Sequence, residues 1–138
     1  SCSDCLNPTL TPSDNEVYTL SVTGTSGCSD VASTQIVVDQ SVKYFIPNVF
    51  SPNEDGVNDV FSVFGDDLLE RVISMEIYDR WGGQVYQASN LPVNDATAGW
   101  DGRYRGELAQ AGIYVYILRL QTKVGEVIST SGDVMLLR

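Results

Sequence analysis

The chain has 138 residues, 43% of them apolar, with 8 Lys and Arg against 18 Asp and Glu and a formal net charge of −10. That length allows one domain, or one small domain with a fragment of another, and the apolar share belongs to a globular chain rather than a disordered one. The acidity excludes docking on nucleic acid or anionic lipid, both of which need clustered Lys and Arg. It reads as solubility outside the cell or, more sharply, as divalent-cation binding at Asp- and Asn-rich loops. No apolar run approaches the roughly 18 residues of a spanning helix, so no direct membrane insertion is expected. There is no His, which removes the usual general base, the usual partner of a Ser or Cys nucleophile and the commonest zinc ligand. No Gly-x-Ser-x-Gly elbow and no Gly-rich phosphate loop occurs, so an enzyme is not expected.

Ser1 to Leu10 has neither the basic start nor the apolar core of a signal peptide, and its Ser-Cys-Ser-Asp-Cys opening reads as cut from within a longer chain. Three cysteines, Cys2, Cys5 and Cys28, stand in this first part. With no second pair and no His, a zinc site is incomplete, and a disulfide in an exported protein is the better reading. Cys28 has three candidate partners: Cys2, Cys5 or a cysteine upstream. Val17 to Thr23 alternates, with Tyr18, Leu20 and Val22 on one face, and Thr34 to Asp39 reads as a second strand beyond a Gly24–Asp30 turn. Two strands cannot bury a core, so residues 1–40 are expected to be the end of an upstream β-repeat or to lean on the segment after residue 40.

A second segment, 41–138, is predicted to form the main domain. Tyr44-Phe45-Ile46 reads as a strand, Asn53 to Asp59 as an acidic turn and Val60 to Phe64 as the next strand. Asp66 to Arg71 is read as one helical turn. In residues 71–79, Ile73, Met75 and Ile77 alternate with Ser74, Glu76 and Tyr78, the pattern of a half-buried antiparallel strand. Asp79 to Gly83 turns it into a hairpin with Gln84–Gln87, and residues 88–98 read as a polar loop. Asp101-Gly102 suits a tight turn. Ile113 to Leu120 is apolar on both faces and reads as a central strand rather than an edge. The last strand region is expected in two pieces, Val127–Ser129 and Asp133–Leu137, broken by a bulge at Ser131-Gly132. About six or seven short strands with turns every ten residues or so, and no alternation with helices, predict an all-β fold: an Ig-like antiparallel sandwich.

Two sets of residues invite a chemical reading. Asn53, Asp55, Asn58 and Asp59, with Gly56 between them, resemble the oxygen-rich half of a calcium loop, so a structural calcium is one reading. The twelfth position, where an EF-hand needs Glu, is Phe64, and the other reading is an Asx-turn in which these side chains bond backbone amides. Trp81 and Trp100 each stand beside an Asp and an Arg. They would suit stacking on a sugar or, more simply, packing over a core edge.

Further motifs are ordered along the chain: Ile46-Pro47-Asn48-Val49-Phe50-Ser51-Pro52-Asn53, Asp55-Gly56, Asn58-Asp59, Ile77-Tyr78-Asp79-Arg80-Trp81-Gly82, Gly99-Trp100-Asp101-Gly102, Gly112-Ile113-Tyr114-Val115-Tyr116 and Gly132-Asp133-Val134. From residue 44 to 138 the sequence resembles the gliding-motility-associated C-terminal domain, a family similar to the type B cargo domains of the type IX secretion system. It departs from the pattern at Gly83, where the family has a bulkier residue. Residues 2–39 resemble the end of a PKD-like or Ig-like adhesin repeat. The resemblance implies a sorting domain of a large surface adhesin, exported through the periplasm to the cell surface or secreted. Its implied partners are the translocon and an outer-membrane barrel protein, and a monomer is expected. It also implies recognition residues: Trp100, Asp101, Gly102, Gly112, Tyr114, Asp133, Val134, Leu136 and Arg138, with Asp133 to Arg138 offering a strand for backbone pairing. The rival expectations are an adhesive module that binds surface polysaccharide through Trp81 and Trp100, and a passive cap on a repeat stalk.

Overall fold

Period-two alternation of apolar residues builds the long strands, and helix is absent among the described residues. The computed structural model describes residues 12, 14–38 and 41–138. The chain divides into two compact units, Ser1–Gln40 and Ser41–Arg138.

In the first unit, β1 (Glu16–Thr23) and β2 (Ser29–Ile36) form an antiparallel hairpin with Glu16 opposite Ile36 and Thr23 opposite Ser29. The turn closes through Gly24 N to the Cys28 carbonyl at 2.7 Å. Val17, Leu20, Val22 and Val31 are all exposed, as expected of a two-stranded hairpin, which cannot bury a core of its own. Cys28 is an exposed free thiol; Cys2 and Cys5 lie outside the described residues.

Among the described residues, the second unit contains nine strands. β3 (Tyr44–Phe45), β4 (Val49–Phe50), β5 (Phe64–Gly65), β8 (Arg103–Tyr104) and β9 (Glu107–Leu108) are two residues each, whereas β6 (Leu69–Tyr78), β7 (Gln84–Leu91), β10 (Gly112–Thr122) and β11 (Val127–Leu136) are long. The main sheet runs β4-β11-β10-β6-β7. All its pairs are antiparallel except β4 with β11, which is parallel at Val49–Met135 and Phe50–Leu136. The second layer is not a continuous sheet. It consists of the β3–β5 and β8–β9 pairs, a bridge between Phe61 and Trp100, and the loops joining them. Between the layers lies one core of Phe50, Phe61, Val63, Leu69, Val72, Met75, Ile77, Trp100, Tyr114, Leu118, Leu120, Val134 and Leu136.

Several local expectations are corrected. No helical turn forms at Asp66–Arg71; the chain makes a tight turn there, with Leu69 N on the Asp66 carbonyl at 3.2 Å, and β6 begins at Leu69. The expected strand Val60–Phe64 is only the Phe61 bridge followed by the β5 pair. The polar stretch after Gln87 continues as strand to Leu91. The alternation of β6 changes phase. The β6–β10 register slips between Arg119 and Leu120, so Val72 rather than Ile73 points into the core alongside Met75 and Ile77. No bulge forms at Ser131-Gly132. β11 pairs with β10 without a slip from Val127 to Leu136, and Gly132 serves a neighbour instead. A Cβ at Gly132 would sit 2.5 Å from Tyr116 Oη and 2.8 Å from its Cζ, so the missing side chain makes room for the Tyr116 ring. Finally, β10 is the central strand, but only one of its faces is buried. Leu118 and Leu120 have no exposed surface, while Ile113, Val115 and Ile117 are exposed by 52%, 44% and 43%.

Candidate functional site

The residues implied for recognition converge on one end of the sheet, where β10 starts and β11 finishes. Trp100 is fully buried. Its amide and carbonyl exchange bonds with Phe61, at 3.2 and 2.8 Å, and its indole Nε1 donates to the Arg103 carbonyl at 2.9 Å. The ring stands 4.9 Å from Tyr114, edge-on, and 5.3 Å from Phe50; Phe50 in turn meets Phe61, and Phe61 meets Tyr116 at 5.3 Å. Such tilted pairs add roughly 0.5–1.5 kcal/mol each beyond the area they bury. Asp101 Oδ1 accepts the Arg103 amide at 3.0 Å and sets the turn that brings the Trp100 indole to its acceptor. Gly102 has φ +75°, and a Cβ there would lie 2.7 Å from Pro52 and 3.1 Å from Leu136, so both its backbone and its surroundings require glycine.

Tyr114 donates its hydroxyl proton to the Gln110 carbonyl at 2.7 Å, and burial holds its phenol above the ordinary range, as it does for Tyr86 and Tyr116. Val134 pairs with Tyr114, and Leu136 with Gly112; both apolar side chains are buried. The Arg138 guanidinium donates to the Ala109 carbonyl. Asp133 alone stands apart, exposed on the outer face opposite Val115. The set therefore divides by place: Trp100, Gly102, Tyr114, Val134 and Leu136 are buried, Gly112 opens β10 beside the Arg80 guanidinium, and Asp101, Asp133 and Arg138 reach the surface.

The Asp133–Arg138 segment is already paired, in part, within the domain. Met135 N donates to the Asn48 carbonyl and Leu137 N to the Phe50 carbonyl, both at 2.9 Å. From Met135 onward its outward amides are thus already taken.

The acidic loop is held by its own amides. Asp59 Oδ1 accepts from Asn53 and Glu54 at 3.0 and 2.8 Å, and Oδ2 from Gly56 at 2.7 Å. Asn53 Oδ1 accepts from Asp55 N, and Asp55 Oδ1 from Val57 N, two successive Asx-turns. Asn58 stands at positive φ, 55°, and its carbonyl accepts the Ser51 amide at 2.8 Å. Among the described residues, no group of three or more His, Cys, Asp or Glu is placed to hold a metal ion.

Trp81 is the converse of Trp100. It lies 87% exposed on the β6–β7 turn, its amide held by Asp79 Oδ1 at 2.9 Å. It borders a cleft of about 330 Å³ with Arg80, Tyr104, Glu107 and Gln110. Two features escaped the sequence reading: the aromatic chain through Phe50 and Phe61, whose residues are scattered among loops, and the uncovered edge of β11 between Val127 and Asp133. A signal for the second was present, as no charged residue occurs between Glu126 and Asp133.

The fold defines the class only as a two-layered all-β domain whose ordered motif residues mostly build its interior. The family model described as the CHU_C Type IX secretion signal domain matches residues 44–136, and the chain belongs to that family. No curated protein matches. Among solved structures, CopC from Methylosinus trichosporium OB3b is similar at 12% identity and a TM-score of 0.45, over 68% of this chain and 88% of that one. Dimeric latent PorU from Porphyromonas gingivalis is similar at 15% identity and a TM-score of 0.40, over 94% of this chain and 13% of that one. As a type IX secretion signal domain, the chain serves export to the cell surface or the medium and works with the type IX machinery.

Proposed function

We propose that the unit from Ser41 to Arg138 sorts a large gliding-motility surface adhesin through the type IX outer-membrane translocon. It then aids retention at the surface through an outer-membrane barrel partner. The observation that carries this reading is the family match across residues 44–136, which spans both layers and nearly the whole folded unit. The buried positions of Trp100, Tyr114, Val134 and Leu136 support it: a signal read after export has to be a folded surface, and these residues maintain one. The glycan-binding alternative keeps only Trp81 and its cleft, because the Trp100 ring has no exposed face to stack on a sugar.

The test is a fusion of a signal peptide, a fluorescent reporter and the whole 138-residue chain, in that order, expressed in a gliding bacterium. The reporter is expected at the surface or in the medium, and in the periplasm of a translocon mutant. Retention in the periplasm of the wild-type strain would overturn the sorting role. Deleting the barrel partner is expected to shift the reporter from the surface to the medium; unchanged retention would remove the attachment role alone.

A further inference from the structure

The two edges of the main sheet differ in a way that points to a binding mode. β4 covers β11 only at Met135 and Leu136. No backbone bond from the described residues reaches the outer edge of β11 before that point. The bonds from Met135 N and Leu137 N to β4 fix which amides face outward. Because backbone direction alternates along a strand, the outward groups are those of Val127, Ser129, Ser131 and Asp133. The inward set agrees, since the Glu126 carbonyl faces β10 and accepts Thr122 N at 2.9 Å. Val127–Asp133 is thus a bare stretch of edge about 23 Å long at roughly 3.3 Å per residue.

Natural sheets blunt exposed edges with charge, proline or bulges. β7, the opposite edge, has two such interruptions: a register shift between Ile77 and Tyr78, and Asn90 at φ 56°. The bare part of β11 has none. It pairs with β10 without a slip, and it contains no proline and no charge until Asp133.

We propose that Val127–Asp133 accepts an added β-strand from a component of the export machinery; this deepens the sorting reading and rests on it. The occupant is an extended segment with small or β-branched side chains beside Ile128 and Thr130 and with Lys or Arg near both ends. Glu126 and Asp133 bracket the stretch, no basic residue lies between them, and the chain carries a net charge of −10. The same acidity opposes a second copy of this chain as the occupant. Main-chain bonds supply affinity in such a complex, and the alternating side chains supply choice of partner.

Two variants of the full 138-residue fusion test it. Ser129→Pro with Ser131→Pro removes two outward amides while leaving every bond to β10 in place, since proline is tolerated where the amide faces solvent. Ser129→Lys with Ser131→Lys keeps the amides and opposes a basic strand. Each is first checked for an unchanged far-UV circular dichroism spectrum and thermal midpoint. Surface delivery of the reporter is expected to fall by about tenfold or more with either, because each main-chain bond lost to proline, and each like charge that lysine sets against a basic strand, weakens the complex severalfold. Normal delivery by a folded double variant overturns the proposal.

If the wild-type fusion is not delivered, the sorting reading fails and the edge is decided separately. The 138-residue chain is titrated with the synthetic peptide Lys-Val-Thr-Val-Thr-Val-Lys and followed by amide NMR. Shifts centred on Val127, Ser129, Ser131 and Asp133, lost in the proline variant, uphold strand addition; no shift at these amides overturns it.

Discussion

The two faces of β10 carry nearly the same kind of residue and meet opposite fates. Tyr114, Leu118 and Leu120 are sealed against the second layer, while Ile113, Val115 and Ile117 stay half exposed. On the outer face they join Met135, opposite Ile113, and Val49, opposite Met135, in a continuous apolar band. The difference does not lie in the strand. It lies in what crosses over it: on one side Phe61, Val63 and Trp100 from irregular segments complete a core, and on the other nothing among the described residues does. Hydrophobicity therefore marks a strand as central, but burial is decided by chain far away in sequence.

The largest effect on this contrast is expected from Trp100→Ala. Losing a fully enclosed indole, its bond to the Arg103 carbonyl and its contacts with Phe50 and Tyr114 should cost about 3–5 kcal/mol. Urea unfolding would read this as a lowered midpoint, and a loss below about 1 kcal/mol would mean that the second layer does not depend on the indole.

Gly132→Ala comes next. The new methyl group would displace the Tyr116 ring, at about 1–3 kcal/mol for an overpacked site. Adding Tyr116→Leu should recover part of that loss. A double-mutant cycle with no coupling would show that the glycine does not serve the ring.

The buried phenols give a smaller, pH-dependent effect. Burial raises Tyr114 and Tyr116 above the ordinary value of 10.0. As pH passes about 10 the unfolded chain therefore loses these protons first, so the contribution is whole below that pH and declines above it. Tyr116→Phe should flatten the fall of the urea midpoint between roughly pH 9.5 and 11; an unaltered slope would assign that fall to other groups.

The smallest effect belongs to the outer face. Val115→Thr should change stability by less than about 0.5 kcal/mol, as expected of a half-exposed site. A loss several times larger would mean that the outer band is covered in solution.

Much of the fold was legible because alternation is a local property. β6, β10 and the turn at Asp79 stand close to where the residue pattern puts them, and the all-β class came from the run of short strands with frequent turns and no alternation with helices. What failed required tertiary information. The phase of β6 changes at a register slip that no residue type announces, and Gly132, read as a strand breaker, is explained only by a tyrosine on the neighbouring strand. The candidate recognition set was legible as motifs but not as roles. Trp100, Gly102 and Leu136 recur in pattern with surface-reaching Asp101 and Arg138, and sequence alone does not separate a residue that builds a surface from one that is touched.

The parallel pairing of β4 with β11 joins Phe50 to Leu136 across 86 positions (136 − 50). A contact so distant in sequence forms slowly, and it forms only once the far end is present. A chain made only as far as β10, or broken short, has the early strands but not the clasp. A closed clasp in this domain is thus a receipt that everything from Val49 to Leu136 is present in one piece.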